Sequence, residues 1–153
     1  MIQCTPIGIC SWNFTLEGDN HRALLIFDWW SEQGSIECDG VALDVRKENF
    51  WSGHWTLQQG GESLATAQKA SPFSRSFEVR DASARFDLYA ESIFGRSFCL
   101  DRNDRKVAMF VPVHPFTRRA TIEMQPAECD FTTVAFCFWL VVTIWRRQSK
   151  NSK

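Results

Sequence analysis

Apolar and polar residues alternate in short runs along most of the chain, and the alternation ends abruptly at Phe131 to Trp145. Alternation places successive side chains on opposite faces of an extended strand. Ile7 to Leu16 is the first such run, with Trp12, Phe14 and Leu16 on one face, followed by a turn at Glu17 to Asn20. Ala23 to Trp30, Ser35 to Cys38 and Val41 to Arg46 come next, the last with Val41, Leu43 and Val45 together. Asp39-Gly40 between two of these runs is a strong hairpin signal. His54 to Gln58 and Glu62 to Lys69 flank Gln59-Gly60-Gly61; the second puts Ala65, Ala67 and Lys69 on one face. Ser76 to Arg80, Arg85 to Ala90 and Arg96 to Leu100 follow. Lys106 to Val113 groups Val107, Met109, Val111 and Val113, and Arg118 to Gln125 groups Ala120, Ile122 and Met124. About eleven short strands at this spacing predict a sandwich or barrel, and full closure would remove exposed edges.

The terminal run FTTVAFCFWLVVTIW has no charge until Arg146 and Arg147. A helix that is apolar all round must be enclosed by protein or lipid. As a helix its 15 residues would reach about 22 Å, against about 30 Å of bilayer hydrocarbon. A buried core helix is the first reading, a tail anchor over 131–145 the second, and a strand the third. Asp130 suits an N-cap, and Arg146 and Arg147 suit the negative end of the helix dipole. The expectation is a helix over about 129–147, a disordered tail over 148–153, and strands over about 7–125 in a single domain of 1–153. Two alanines on one face of the Glu62 to Lys69 strand fit a wall that approaches such a helix closely.

Seven Trp and 13 Phe beside one Tyr suit a β-rich core. The net charge of −1 carries no global basic field, so no nucleic-acid partner is expected and any anion binding must be local. Six Cys show no metal-ligand spacing, which predicts buried free thiols, no metal, and a reducing, cytoplasmic setting. The N-terminus lacks a basic segment followed by a long apolar one, so no secretory signal is read.

Candidate chemistry is sparse. His21, His54 and His114 lie in or beside turns without a paired carboxylate nearby in sequence. No phosphate loop, nucleophile elbow or zinc-protease motif occurs, and neither an enzyme nor a cofactor is expected. Adjacent strand residues face opposite ways, so Trp29-Trp30 and Phe50-Trp51 each send one aromatic outward. Either a loop or the N-terminal arm covers them, or Trp29, Trp30 and Trp51 form a contact patch for a partner or a membrane. Basic residues form two small groups at opposite ends of one hairpin: Arg102, Arg105 and Lys106, then Arg118 and Arg119. They are either solvated charges or sites for phosphate and lipid headgroups, whose oxygens match the guanidinium fork.

The order of features resembles the tubby C-terminal-like superfamily, which groups tubby domains, plant LURP-one-related proteins and phospholipid scramblases. The resemblance rests on HWTLQQGGESLATAQK, SFEVR, RFDLYAES, GRSFCLDRNDRKVAMFV and RRATIEM, followed by the apolar C-terminal run. It covers nearly the whole chain and implies a closed antiparallel β-barrel of about twelve short strands around a central hydrophobic C-terminal α-helix. Tubby domains bind phosphoinositides through basic residues, and scramblases place an acidic calcium-binding segment before the terminal helix. Here PAECD offers only Glu128 and Asp130, so calcium dependence and lipid scrambling are not expected. The expected function is a non-enzymatic binding module for anionic headgroups at a membrane surface. The alternative is a soluble scaffold that contacts a protein partner through the same aromatic surface.

Overall fold

A computed structural model of the chain describes residues 1–48 and 53–152; Phe50 and Trp51, half of the expected aromatic surface, lie outside the described residues. Twelve strands precede one helix. They are β1 (Ile2–Pro6), β2 (Phe14–Gly18), β3 (His21–Phe27), β4 (Gly34–Cys38), β5 (Val41–Lys47) and β6 (His54–Gln59), then β7 (Glu62–Lys69), β8 (Ser76–Asp81), β9 (Arg85–Ala90), β10 (Phe98–Arg102), β11 (Arg105–Pro112) and β12 (Ala120–Met124). The helix α1 is Phe131–Asn151. Each strand pairs antiparallel with its sequence neighbours, and β1 closes the ring between β12 and β2 through Ile2↔Ile122 and Cys4↔Leu16.

The helix lies inside that ring. Every residue from Thr133 to Trp145 is buried, over more than three turns, so no direction around its axis faces solvent. Its contacts come from well-separated staves. Phe138 meets Phe14 of β2 edge-on at 5.1 Å and stacks on Phe110 of β11, while Trp139 stacks on Phe27 of β3 at 3.7 Å. Thr133 donates to Asp81 at the end of β8, 2.6 Å away. The segment expected as a tail anchor in one reading is therefore enclosed by strands. Among the described residues, no helix is long and apolar enough to cross a membrane.

Alternation selects the inner face as expected in most strands: Trp55 and Leu57, Ala65 and Ala67, Phe77 and Val79, Phe86 and Leu88 are all buried. Several boundaries differ. The expected first strand is two elements, because residues 7–13 form a loop and the closing strand β1 lies earlier, with Ile2 and Cys4 inward. Cys10 in that loop is exposed, while the other five thiols are buried as expected. The N-terminus thus builds the wall and leaves Trp29 and Trp30 exposed. Val41 is exposed although Leu43 and Val45 point inward, because it flanks the turn. In β11 the expected face fails because the register shifts opposite Leu100 and Asp101; beyond the shift Ala108 and Phe110 face inward, and Val113 is exposed. The helix runs to Asn151, so residues 148–151 are ordered helix rather than a disordered tail, with no breaker before Ser152. Asp130 occupies the N-cap position, but its side chain makes no capping bond.

Candidate functional site

In an antiparallel meander successive connections fall alternately at the two ends of the barrel. At one end lie the turns 19–20, 39–40, 60–61, 82–84 and 103–104, together with the link 125–130 into the helix. Four are two-residue turns with both residues at positive φ, a backbone favoured by Asn, Asp and Gly and matched to strand twist. At the other end lie the loops 7–13, 28–33, 70–75, 91–97 and 113–119, with the last turns of α1 emerging among them. The connection 48–53 reaches the same end, but most of it lies outside the described residues.

Exposed large hydrophobics collect at this loop end. Loop 7–13 carries Ile7 and Ile9, loop 28–33 carries Trp29 and Trp30, and loop 70–75 carries Phe73. Loop 91–97 carries Ile93 and Phe94, and loop 113–119 carries Val113 and Phe116. Five tips are more than nine-tenths exposed: Ile9, Trp30, Phe73, Phe94 and Phe116. Among the described residues the only other exposed large hydrophobics are Met1 and Val41, both at the turn end. Trp29 and Trp30 are both exposed, but they sit on a loop beyond β3 and not on opposite strand faces.

Arginines lace these loops together through backbone carbonyls. Arg75 donates to Gly95 and Ser92, reaching from loop 70–75 to loop 91–97. Arg96 donates to Pro115 and Thr117 of loop 113–119. Arg118 donates to Gly8 at 2.9 Å and to Ile9, and its guanidinium lies over the ring of Trp12. Arg146 of the helix donates to Ser31 and Trp29, both at 2.9 Å. Each guanidinium holds the base of a neighbouring apolar loop, so the tips project from a pinned rim. Sequence reasoning missed Arg75 and Arg96; their placement two residues beyond a loop phenylalanine, Phe73 and Phe94, was the available signal.

The two expected basic groups are separated as anticipated. Arg102, Arg105 and Lys106 lie at the turn end, where Arg102 donates to the Glu128 carbonyl at 2.8 Å and Arg105 pairs with the Glu128 carboxylate at 3.1 Å. Arg118 and Arg119 lie at the loop end; Arg118 is committed to loop 7–13, and Arg119 is exposed. The turn-end connections hold Asp19, Asp39, Asp104, Glu128 and Asp130 and no Lys or Arg. In the described loops of the other end, four arginines face four carboxylates, and Arg146, Arg147 and Lys150 of the helix tip the balance positive. In the connections alone, therefore, the charged side chains are acidic at one end and mixed at the other.

A groove of about 900 Å³ opens at the loop end between loop 28–33, residues 70–72 and the last turns of the helix. Glu32 stands in it, accepting from Lys47 at 2.9 Å and from Arg147 at 2.6 Å. Burial alone would raise the Glu32 carboxyl, but the bonds from Arg147 and Lys47 hold it below the usual carboxylate range. Lys69, at the loop end of β7, is only 8% exposed and donates to the Pro72 carbonyl. Its burial, reinforced by Arg147, pulls its ammonium below the usual lysine range.

Among the described residues the three histidines have separate partners. His21 pairs with Asp39 at 2.7 Å, brought together across β3 and β4, and stacks on Phe131 as a cover over the helix entrance. His54 meets Gln68, and His114 accepts from the Phe116 backbone. Among the described residues no three His, Cys, Asp or Glu are grouped to hold a metal ion. Comparison with family models, with curated proteins and with solved structures gives no match to this chain.

Proposed function

We propose that the protein is a non-enzymatic module that docks by its loop end on an anionic membrane surface. The observation that supports this is the segregation of exposed apolar tips: nine at the loop end, two elsewhere among the described residues. A scattered exposed hydrophobic needs no explanation, but their collection at one end supports a contact surface there. The tips are separate points on five loops, with Arg and Lys set back among them. That arrangement suits a fluid apolar phase bordered by negative headgroups better than the continuous packed core of a protein interface. Aromatic rings at the level of the headgroups and basic side chains just behind them each add to binding, the charges at about 1 kcal/mol apiece. The barrel around a terminal helix also supports the proposed kinship with the tubby-like superfamily.

Sedimentation with phosphatidylcholine vesicles, with and without phosphatidylserine, tests the reading. Wild-type protein should bind the anionic vesicles preferentially and lose affinity with added salt. Burial of an aromatic side chain is worth about 1.5–3 kcal/mol, so a Phe94→Ser/Phe116→Ser double variant should bind at least 10-fold more weakly, roughly, even with shallow insertion. Equal binding by the double variant, or no preference for anionic vesicles, would reject the membrane reading in favour of a protein partner.

A further inference from the structure

We propose that the groove beside the emerging helix is a binding pocket for a compact polyanion, a phosphate-bearing group held by Lys69, Arg146, Arg147 and Lys150. This inference stands apart from the membrane reading, because it follows from an imbalance of charge inside the groove. Five cations line it, the fifth being Lys47, and among the described lining residues Glu32 is the one carboxylate. Glu32 already serves Lys47 and Arg147.

Lys69 makes the imbalance costly. A lysine is almost never this buried unless paired, yet its described hydrogen-bond acceptor is one neutral carbonyl for an ammonium with three donors, and the nearby Glu32, which favours its charge, is bonded to Lys47 and Arg147. Arg146 also spends its donors on carbonyls, which orient its charge without neutralising it. Ala65 and Ala67 precede it on the inner face of β7, where an apolar residue would continue the pattern, and its one described side-chain bond is to the Pro72 carbonyl. A buried, under-compensated cation among others is the condition that an anion with several oxygens relieves, through charge-assisted hydrogen bonds to Lys and Arg. The groove's volume lies within the range of small-molecule sites and admits a group the size of a phosphorylated sugar.

Thermal unfolding in sodium pyrophosphate, against sodium chloride of equal ionic strength, provides the test. A ligand that binds only the folded state raises the midpoint with its concentration. Wild type should show that rise, and Lys69→Met should lose it while unfolding, without anion, at or above the wild-type temperature. That pairing separates a binding lysine from a structural one. Lys150→Gln, at an exposed position, should fold normally and weaken pyrophosphate binding about 5-fold. No rise beyond the chloride control, or an undiminished rise in Lys69→Met, would overturn the proposal. So would a Lys69→Met protein that is less stable but binds as before. Vesicles of phosphatidylcholine with phosphatidic acid distinguish the source: competition with pyrophosphate identifies a lipid headgroup, and its absence a soluble phosphate ester. The Phe94→Ser/Phe116→Ser variant should keep the pyrophosphate response, so a failure of membrane docking leaves this result readable.

Discussion

At the turn end of the barrel, four of the five hairpin turns are two residues long, and the connections carry only carboxylates. At the loop end the connections run to six or seven residues, carry the exposed Trp, Phe and Ile side chains, and surround a cationic helix terminus. The same strands feed both ends, so the difference does not come from the barrel. A two-residue turn has room only for residues that tolerate positive φ, and it satisfies its own backbone locally. A seven-residue loop must find partners for its carbonyls, and here arginines from neighbouring loops supply them. Once pinned in this way, a loop can display an apolar tip without collapsing it onto the barrel. The turn end is therefore built for closure and the loop end for contact.

The most severe break of this comparison removes the helix, which is fastened at both ends. At the turn end Thr133 bonds Asp81; at the loop end Trp145 donates to Arg96 at 3.0 Å and Arg146 and Arg147 reach loop 28–33. A chain ending at Asp130 loses the filler of its core and should give no cooperative unfolding transition by circular dichroism. A soluble, monomeric, cooperatively folded truncate would refute the enclosed-helix account.

Smaller perturbations probe the closeness of wall and helix. A Cβ at Gly34 would stand 2.7 Å from the Trp139 ring and 2.1 Å from the Ile26 carbonyl oxygen. Gly34→Ala and Ala67→Leu should each cost about 1–3 kcal/mol in denaturant unfolding through overpacking. Unchanged midpoints would mean that the wall yields more easily than its packing indicates.

At the turn end, acid should act through Asp81. Burial raises the Asp81 carboxyl, but bonds from Thr133 and Ser83 and from the Ser83 and Ala84 amides outweigh it and hold it below the usual range. A group depressed on folding contributes stability that is present above its unfolded value, about 4, and is lost as the pH falls through the folded value. Asp81→Asn should therefore destabilise by about 1 kcal/mol at pH 7, with the difference from wild type shrinking below about pH 4. A gap independent of pH would assign the effect to packing.

The smallest effect on stability belongs to the loop tips. Phe116→Ser should leave the unfolding free energy within about 0.5 kcal/mol of wild type, because the side chain is 94% exposed. Loss of more than about 1 kcal/mol would show that the loop end depends on its tips for folding, and the contrast between the ends would weaken.

Much of the wall was legible. Alternation located ten of the twelve strands to within about three residues and ran the strand that became β2 seven residues too early, and the uncharged run from Phe131 to Trp145 announced an enclosed helix. Both signals are local: side-chain direction reverses with each strand residue, and a helix apolar on all sides cannot face water. The closing strand β1 was missed because Ile2 and Cys4 make a short alternation that stops at Pro6. The face of β11 was misassigned because a bulge changes phase without changing composition. Alternation would have sent one Trp of the pair inward, whereas both are exposed because the strand ends at Phe27 and they lie in the loop.

The groove could not be found that way. Glu32, Lys47, Lys69 and Arg147 belong to four segments, and only ring closure with the helix threaded through it makes them neighbours. A single trace of it was present, a lysine on the inward phase after Ala65 and Ala67. Sequence determined what each segment must bury, because burial follows from composition and period. Tertiary structure decided which end collects the long loops, which arginines bind carbonyls and where cations outnumber their partners. Those outcomes depend on distances between residues far apart in the chain, which no local pattern encodes.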